Sequence, residues 1–271
     1  MSGSDLHALA ERLLQALDRK QLVGLPSSQP DGLSLDQAYA VAQRLAQLRM
    51  ARGERPLGWK IGFTNRSIWD RYGVHAPIWG PVWNGTGALL DGSSAHVSLA
   101  SFSQPRLEPE IAFGFARAPE AGMSPAELQA CLAWVAHGFE IVHTHYPDWR
   151  FTLTDTVADF ALHGWMRVGP RVPVQDWPTL GADLATLQLE LSCDGVVKDR
   201  GVGSVVLDGP LHALKQWIDA MAVTTPAWRV AAGEFVTTGT ITDAWPLQPG
   251  QHWQTRLSDK RLSDLSLRTE A

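Results

Sequence analysis

Apolar residues recur at helical spacing in two segments near the start of the chain, 5–19 and 35–50. Ser34 and Gln37 form a capping-box pattern, which predicts the start of the second helix. The segment between the two helices is rich in Pro, Ser and Gly and predicts a loop. The pattern therefore predicts a mainly helical N-terminal part, which we take to cover residues 1–55.

After the helical part, the spacing of apolar residues becomes alternating or continuous, which predicts strands. The predicted strands cover 56–63, 106–115, 137–145, 164–169, 185–192, 233–239, 252–257 and 262–267. Helical patterns return at 66–72, 124–136 and after 209–210, whereas 76–87, rich in Pro, Gly and Trp, predicts an irregular loop. Because regular strand–helix–strand alternation is missing, we predict an α+β fold with a mixed, mostly antiparallel sheet system. Residues 56–271 are expected to form one β-rich domain packed with the helical part.

The predicted strand 106–115 carries two acidic residues on one face. Strand side chains alternate, so Glu108 and Glu110 share one face while Leu107, Ile111, Phe113 and Phe115 fill the other. The two carboxylates lie about 7 Å apart along the strand, and like charges at that distance repel each other. A hard divalent cation reverses this repulsion, because Mg²⁺ and Mn²⁺ prefer carboxylate oxygens. A solvated strand face is the alternative interpretation, since Pro109 suits an edge strand or a bulge.

A third acidic residue, Glu140, lies on the otherwise apolar strand predicted at 137–145. Together with Glu108 and Glu110 it gives three carboxylates from two strands. Such a set suits octahedral Mg²⁺ or Mn²⁺ and leaves coordination positions for water and substrate. We therefore treat the three residues as candidate ligands of one divalent cation.

Lys60 is unusual for its position, because it stands between Trp59 and Ile61 within a predicted strand. Lysine is rarely buried without a partner. One interpretation is a cation aimed at an anionic substrate, or a proton donor with a lowered pKa. The other is a lysine at a sheet edge whose ammonium group reaches solvent.

Composition and charge narrow the classes of function. The chain has 271 residues, 45% of them hydrophobic, which allows a sizeable core. A formal net charge of −5 without a run of Lys or Arg argues against a nucleic-acid surface. Cys131 and Cys193 lie far apart, which excludes a cysteine-based zinc site or disulfide framework and fits a reducing compartment. With no signal-peptide pattern and no apolar run of the about 20 residues that a membrane helix needs, we expect a soluble cytoplasmic protein.

Four motifs, taken in order along the chain, resemble the fumarylacetoacetate hydrolase superfamily. Within it they are similar to the branch of 2-oxopent-4-enoate hydratases and 4-oxalocrotonate decarboxylases. The motifs are GWKIGFT at 58–64, RLEPEIA at 106–112, EIV at 140–142 and DTVAD at 155–159. The resemblance covers nearly the whole chain. It implies a metal-dependent lyase of aromatic-compound catabolism by the meta-cleavage pathway, with a β-roll or barrel-like core. It also implies a homo-oligomer and association with a partner enzyme of the pathway.

The resemblance also implies roles for individual residues. Glu108, Glu110 and Glu140 match the family's metal ligands, with Mg²⁺ or Mn²⁺ as the ion. Lys60 matches its active-site lysine. The metal would bind the carboxylate and 2-oxo oxygens of a small 2-oxo acid and stabilise enolate-like charge. Beside Lys60, the implied substrate-binding positions are Ile78, Phe160, Leu162, Thr238 and Gly239.

Several positions depart from the branch pattern. Hydratases of the branch typically carry an acid near the position of Ile78, whereas decarboxylases tend to carry an aliphatic residue there. The tripeptide Phe160-Ala161-Leu162 stands where the branch usually has Asn-Ala-Ser. His143, His145 and His163 match no residue of the branch; they are candidate replacement acid–base groups, and surface or core roles are the alternative for all three. Asp155 is a further candidate acid–base group.

These observations leave three hypotheses about function. We expect a metal-dependent lyase acting on a 2-oxo acid, of the 2-keto-4-pentenoate hydratase type, with 4-oxalocrotonate-type decarboxylation as the alternative. A hydrolase that cleaves the C–C bond of an acylpyruvate or β-diketone would need a base, for which His143 and His145 are the candidates. A noncatalytic accessory subunit that binds a small acid is the third hypothesis.

Overall fold

The computed structural model describes residues 2–30 and 32–271; Met1 and Asp31, which belong to the predicted helical part, lie outside the described residues. Within the described residues, the α-helices are α1 (Gly3–Arg19), α2 (Leu35–Ala51), α3 (Trp69–Tyr72), α4 (Pro125–Gln129), α5 (Leu153–Ala158), α6 (Leu180–Thr186) and α7 (Pro210–Thr224). None of them combines the length and apolar character that a membrane span requires.

The strands of the described residues are shorter and more numerous than the helices. They are β1 (Pro56–Gly62), β2 (Ile78–Trp83), β3 (Gly87–Leu89), β4 (Ser94–Ser98), β5 (Arg106–Phe115), β6 (Leu132–Val142), β7 (His163–Val168), β8 (Val172–Pro173), β9 (Gln188–Cys193), β10 (Val196–Val202), β11 (Phe235–Thr240), β12 (Trp245–Pro246), β13 (His252–Leu257) and β14 (Ser266–Glu270).

The two N-terminal helices follow the predicted pattern. The hydroxyl of Ser34 accepts a hydrogen bond from the amide of Gln37, whose side chain bonds back to the backbone of Ser34, so the predicted capping box is confirmed. Helix α1 packs against α2, and α2 packs against α5. Their buried apolar residues join the same core cluster as the outer face of the larger sheet.

The strands form two sheets. The larger sheet has the order β2-β1-β11-β5-β6-β7-β3, with β12 paired to β5 and β8 paired to β6, and it curls into a half-barrel. The smaller sheet has the order β10-β9-β13-β14-β4. Most pairs are antiparallel; the parallel ones in the described residues are β1–β11, β3–β7 and β14–β4. The predicted α+β class with a mixed, mostly antiparallel sheet system is confirmed.

Both faces of the larger sheet are buried, and alternation along β5 separates them. Leu107, Ile111 and Phe113 pack into the main core on the outer face, where burying each side chain stabilises the fold by about 1.5–3 kcal/mol. Ala112 lies on the inner face opposite Ala136 of β6, in a smaller apolar cluster. The inner face is therefore apolar at that end of β5, and its acidic residues lie towards the other end.

Two predictions of local structure are wrong. The helix predicted at 124–136 ends at Gln129, and β6 begins at Leu132. The segment from 132 onwards pairs with β5 along its length. This long-range strand pairing overrides the local helical pattern. The irregular loop predicted at 76–87 contains the whole of β2, which pairs antiparallel with β1.

Candidate metal centre

The three acidic residues singled out in the sequence lie together inside the half-barrel. Glu108 of β5 lies directly opposite Glu140 of β6, and Glu110 lies opposite Gly138. One carboxylate oxygen from each glutamate lies within 4.8 Å of the other two. The antiparallel pairing of β5 with β6 therefore produces the cluster, because directly opposite residues on one face are close neighbours.

Glu110 is completely buried, and the backbone of β11 binds one of its oxygens. The amide N–H of Gly239 donates to Glu110 Oε2 at 2.9 Å. Gly239 has a φ of +98°, and a Cβ there would lie 1.9 Å from Oγ1 of Thr64. Only glycine fits this position, so the sequence of β11 holds a backbone donor against the carboxylate. Glu110 Oε1 has no hydrogen-bond partner among the described residues.

Glu140 is also completely buried and has two different neighbours. Its Oε1 accepts a hydrogen bond from Nδ1 of His163 at 2.8 Å. Its Oε2 lies 3.3 Å from Nζ of Lys60 and has no hydrogen-bond partner among the described residues. The carboxylate is therefore fixed through one oxygen, while the other contacts only the Lys60 ammonium.

Lys60 lies on β1 with its side chain almost completely buried, so it is not a lysine at a solvent-facing edge. Its Nζ donates to the carbonyl oxygen of Ala161 at 3.1 Å. Gly80 of β2 lies opposite Lys60 in the sheet, and a Cβ there would meet Ala161 Cβ at 3.1 Å and the Phe160 oxygen at 3.3 Å. The absence of a side chain at residue 80 thus lets the turn approach the lysine.

That turn, Phe160–Leu162, has an unusual backbone conformation. The φ angles of Phe160, Ala161 and Leu162 are +56°, +52° and +63°, in the left-handed region that non-glycine residues rarely adopt. Each such residue costs of order 1–3 kcal/mol, and the cost is commonly found at functional sites. Here the conformation directs the Ala161 carbonyl towards Lys60.

Burial and mutual repulsion dominate the electrostatics of the cluster. Burial raises the pKa of Glu108 to about 8; Lys60 opposes this shift, and Glu110 and Glu140 add to it. Burial, followed by the charge of Glu140, raises the pKa of Glu110 well above its usual range. Burial acts to lower the pKa of Lys60, but the three carboxylates outweigh it and the pKa is raised. The cluster therefore has an excess of negative charge when all three carboxylates are ionised, because Lys60 supplies a single positive charge.

The residues present fit a hard divalent cation. The donor set is three carboxylates, the ligand type that Mg²⁺ and Mn²⁺ prefer. Two buried carboxylate oxygens, Glu110 Oε1 and Glu140 Oε2, have no hydrogen-bond partner within the described part of the chain. Leaving such atoms unsatisfied is costly, and a cation bound between them would remove that cost.

A cavity of about 80 Å³ opens beside Lys60 and Glu108. Of the predicted substrate-binding residues, Lys60, Ile78, Leu162 and Gly239 line it. Much of the remaining wall is apolar, and its members include Ile68, Val142, Trp149, Phe151 and Ala244. The cavity therefore joins a charged region to an apolar one, as an amphipathic acid requires.

Two other predicted substrate-binding residues are not among the residues that line this cavity. Phe160 lies on the far side of its turn, where its ring is 5.7 Å from the guanidinium carbon of Arg49. The hydroxyl of Thr238 donates to the backbone oxygen of Ile111 at 3.2 Å. Both residues therefore support the cavity wall from behind.

The candidate acid–base groups also lie outside the lining. His145 Nδ1 is 2.6 Å from a carboxylate oxygen of Asp159. His143 accepts a weak bond from the Ser103 amide, and burial lowers its pKa to about 3, so its ring is neutral. The side chains of His143, His145 and Asp155 are all buried. In this structure the two histidines belong to a packed polar cluster.

Asp155 caps a helix. Its carboxylate accepts hydrogen bonds from the amide and hydroxyl of Thr152 at the start of α5. It accepts two further bonds from the amide and hydroxyl of Ser27, at 2.8 and 2.7 Å. Asp155 thereby ties the N-terminal segment to the helix that precedes the turn at 160–162.

The structure adds residues that the sequence analysis did not predict. Arg106 lines the cavity, and its guanidinium carbon lies 4.0 Å from the ring centre of Trp149. Arg106 lies on the same face of β5 as Glu108 and Glu110, so its orientation could have been predicted from the strand alternation. Trp149 ends a short 3₁₀ turn that is kinked at Asp148, and no pattern in the sequence predicted its place in the cavity wall.

Comparisons with known proteins agree with this geometry. No family model matches the chain. A 4-oxalocrotonate decarboxylase of a Pseudomonas species is 30% identical over 261 residues, which cover 95% of this chain and 97% of the relative. A 2-hydroxyhexa-2,4-dienoate hydratase of Comamonas testosteroni is 31% identical over 247 residues, which cover 90% of both chains.

Solved structures extend the likeness to the fold. The 4-oxalocrotonate decarboxylase from Pseudomonas putida G7, complexed with magnesium and adipate, has a TM-score of 0.90 at 24% identity, covering 99% of this chain and 98% of that chain. The fumarylpyruvate hydrolase from Pseudomonas aeruginosa, in complex with Mn²⁺ and pyruvate, has a TM-score of 0.60 at 12% identity, covering 80% and 89%.

The fold and the site together define a class of protein. A curled mixed sheet with helices packed on its outer face is the fumarylacetoacetate hydrolase-type fold, and the clustered carboxylates lie inside the curl. Within that class, the chain belongs to the family of 2-keto-4-pentenoate hydratases and 4-oxalocrotonate decarboxylases. The resemblance inferred from the four motifs is thus confirmed.

Proposed function

We propose that this chain is a divalent-metal-dependent lyase that hydrates a 2-hydroxydienoate, the enol form of an unsaturated 2-oxo acid. The observation that carries the proposal is the convergence of Glu108, Glu110, Glu140 and Lys60 beside one cavity. The hydratase relatives support the reaction, and the carboxylate cluster supports the metal dependence. Mg²⁺ or Mn²⁺ is the proposed ion, because all three ligands offer oxygen.

The ion would be held by one oxygen from each glutamate. When bound, it supplies Lewis-acid polarisation of the 2-oxo group and stabilises the negative charge that develops there. Glu110 Oε1 and Glu140 Oε2 are the buried oxygens of this set that lack a hydrogen-bond partner among the described residues, although Glu140 Oε2 also lies 3.3 Å from Lys60 Nζ. The Gly239 amide keeps the second oxygen of Glu110 in place, so this ligand is oriented before the ion arrives.

Lys60 is proposed to bind the substrate carboxylate or to transfer the proton during ketonisation. The Ala161 carbonyl and Glu140 contact its Nζ, and Lys60 and Ala161 both line the cavity. Its raised pKa keeps the ammonium charged at neutral pH, which suits the binding of an anion. Proton transfer by a positioned group typically contributes about 10²–10⁴-fold to a rate.

The apolar lining fits the carbon chain of the acid. Ile78, Leu162 and Phe151 offer no charge to the substrate tail, so they favour binding through apolar contact. Removal of water from this wall also strengthens the electrostatic interactions at the charged region. The substrate class is therefore proposed to be a small 2-oxo acid with an unsaturated, uncharged tail.

Decarboxylation of a 4-oxalocrotonate-type acid is the second candidate. Ile78 favours it, because an aliphatic side chain lines the cavity where hydratases of the branch typically carry an acid. The decarboxylase relative, similar over 95% of this chain, supports the same reaction. Both reactions use the same electron sink at the 2-oxo group, so the charged half of the site serves either one.

The test is to incubate the protein and Mg²⁺ with 2-hydroxypenta-2,4-dienoate, 4-oxalocrotonate and acetylpyruvate in parallel, and to identify products by NMR. Hydration of the dienoate is the expected result. Release of CO₂ from 4-oxalocrotonate alone would favour the second candidate, and cleavage of acetylpyruvate would favour a C–C hydrolase. Binding of oxalate without turnover of any substrate would contradict the enzymatic proposal and favour an accessory subunit.

The proposal includes a homo-oligomer in the cytoplasm, associated with a partner enzyme of the same pathway. It also treats 1–55 and 56–271 as a helical part and a catalytic domain that fold as one unit. The two cysteines, Cys131 and Cys193, are buried and free, which is compatible with a reducing compartment. Light scattering of the purified protein tests the assembly, and a monomer at micromolar concentration would contradict it.

A further inference from the structure

His163 contacts a candidate metal ligand and has no part in the function proposed above. Its Nδ1 lies 2.8 Å from Oε1 of Glu140, and its Nε2 lies 2.9 Å from Oγ1 of Thr86. His163 and Glu140 are 2% and 0% exposed, so water does not compete for these bonds. A buried imidazole thus links a turn hydroxyl to one of the three clustered carboxylates.

The neighbours of His163 determine the direction of both hydrogen bonds. A metal-bound carboxylate is ionised and only accepts, so the proton between His163 and Glu140 belongs to Nδ1. A neutral imidazole with its proton on Nδ1 accepts at Nε2, so the hydroxyl of Thr86 donates there.

The Thr86 hydroxyl is itself oriented by the turn that it closes. Its Oγ1 accepts a bond from the amide of Trp83 at 3.2 Å. The carbonyl oxygen of Trp83, also at 3.2 Å, is the other possible acceptor of the hydroxyl proton, but Nε2 of His163 is nearer at 2.9 Å. The carbonyl of Thr86 accepts from the amide of Met166 and from the guanidinium of Arg167, which lie on β7. The turn after β2 is therefore fixed to the strand that begins with His163.

A one-residue irregularity directs His163 towards the inner face. Along β6 and β7, Ile141 pairs with Trp165 but Val142 pairs with His163, so Gly164 is an extra residue on β7. Without it, His163 would share the outer face with Trp165, which packs in the main core. A bulge of this kind re-aims a side chain, and such bulges are common next to active sites.

We propose that His163 is a positioning residue for the metal centre: its Nδ1–H holds Oε1 of Glu140 and leaves Oε2 for the cation. The inference rests on the metal dependence proposed above. Hydrogen bonds behind a metal ligand fix its orientation, and their loss typically weakens metal binding by about 10–100-fold. Without His163, Glu140 Oε1 would be buried without a donor, and the carboxylate would be free to turn away from the ion.

The test measures Mg²⁺ affinity by isothermal titration calorimetry, without substrate, on the full chain. We expect His163→Ala to weaken Mg²⁺ binding by about 10–100-fold. His163→Asn, which retains a side-chain N–H near the position of Nδ1, is expected to recover most of the affinity. His143→Gln is the matched control, because His143 is a buried neutral histidine of the same region with no contact to Glu140 in the described hydrogen bonds. It is expected to bind Mg²⁺ within about twofold of the unchanged protein.

A second measurement does not depend on any variant. The ¹⁵N chemical shifts of the His163 ring in the Mg²⁺-loaded protein are expected to report the Nδ1–H tautomer, and the Nε2–H tautomer would overturn the proposal. Equal Mg²⁺ affinity in a folded His163→Ala variant would also overturn it while leaving the metal site intact. Failure of the unchanged protein to bind Mg²⁺ would instead refute the proposed metal dependence, and this inference with it. If His163→Ala does not fold, the ring tautomer of His163, measured by NMR on the unchanged protein, tests the proposal by itself.

Discussion

Strands β5 and β9 carry the same alternation of apolar and polar residues but lie in different surroundings. On β9, Glu190 is 29% exposed, and its carboxylate pairs with the guanidinium of Arg200 at 2.7 Å. On β5, Glu110 is fully buried, receives one backbone N–H, and has an oxygen without a partner within the described residues. The polar face of β9 meets solvent, whereas the polar face of β5 lies inside the curled sheet.

The comparison shows that the cost of a carboxylate depends on its surroundings and not on its strand pattern. An exposed ion pair such as Glu190–Arg200 contributes about 0–1 kcal/mol, and its loss is easily tolerated. A buried carboxylate without a matching charge is several kcal/mol less stable than one in water. Glu110 Oε1 has no hydrogen-bond partner among the described residues, and Glu140 Oε2 has only the Lys60 ammonium, which acts on all three carboxylates. This excess of negative charge is evidence for a further partner of opposite charge, which we identify as a divalent cation.

The largest difference is expected between two variants that each replace one glutamate by glutamine, one in each sheet. Glu110→Gln should weaken Mg²⁺ binding at least 100-fold and reduce kcat/KM at least 1,000-fold, which corresponds to about 4 kcal/mol. Glu190→Gln should change both quantities by less than about twofold, since its ion pair is exposed. Calorimetry and steady-state kinetics measure the two effects. Equal Mg²⁺ affinity in the two variants would remove the distinction between the strands.

A second pair of variants compares two lysines. Lys60→Met keeps the length of the buried side chain but removes its charge, and kcat/KM should fall by about 10²–10⁴-fold. Lys260→Met removes a lysine that is 65% exposed and pairs with Asp264, and activity should stay within about twofold. Circular dichroism with Mg²⁺ present checks that both variants fold. A folded Lys60→Met variant with full activity would refute the role of Lys60.

A third pair compares two glycines with positive φ. Gly195, in the turn between β9 and β10, has open space where a Cβ would lie, so Gly195→Ala should cost about 1–2 kcal/mol from backbone strain alone. Gly239→Ala adds the collision with Thr64 and disturbs the bond to Glu110, so the loss should exceed about 3 kcal/mol. Urea unfolding gives both values. A smaller loss at Gly239 than at Gly195 would contradict the conclusion that only glycine fits at residue 239.

The smallest effect concerns pH. Because burial raises the pKa of Glu108 to about 8, the cluster holds protons at neutral pH that a cation must displace. Mg²⁺ affinity should therefore increase with pH, by up to about tenfold per unit for each proton released, and should level off above the raised pKa values. Calorimetry at pH 7 in buffers of different ionisation enthalpy should detect proton release. Glu190→Gln should leave the release unchanged, and release of no protons in the unchanged protein would contradict the raised pKa.

Features with a local cause were predictable from the sequence. The capping box at Ser34 and the alternation along β5 are set by neighbouring residues, and the structure has both. The prediction that Glu108, Glu110 and Glu140 act together required the resemblance to the family, because alternation alone allowed a solvated face. The candidate ligands therefore came from pattern and resemblance combined.

Features with a distant cause were not predictable. The segment 132–136 extends β6 only because β5 lies beside it. His163 faces Glu140 because of one extra residue in β7, and a shift of one residue reverses the face that a side chain occupies. The left-handed turn at 160–162 contains no glycine from which its conformation could be predicted. The residue that it contacts, Lys60, lies about 100 positions earlier in the chain.

The most direct test of the metal centre is a crystal structure of the protein soaked in Mn²⁺, with anomalous scattering recorded at the manganese edge. We predict one strong peak per chain, with carboxylate oxygens of Glu108, Glu110 and Glu140 at about 2.0–2.3 Å from it. A peak bound elsewhere, or no peak at these residues under saturating Mn²⁺, would contradict the account.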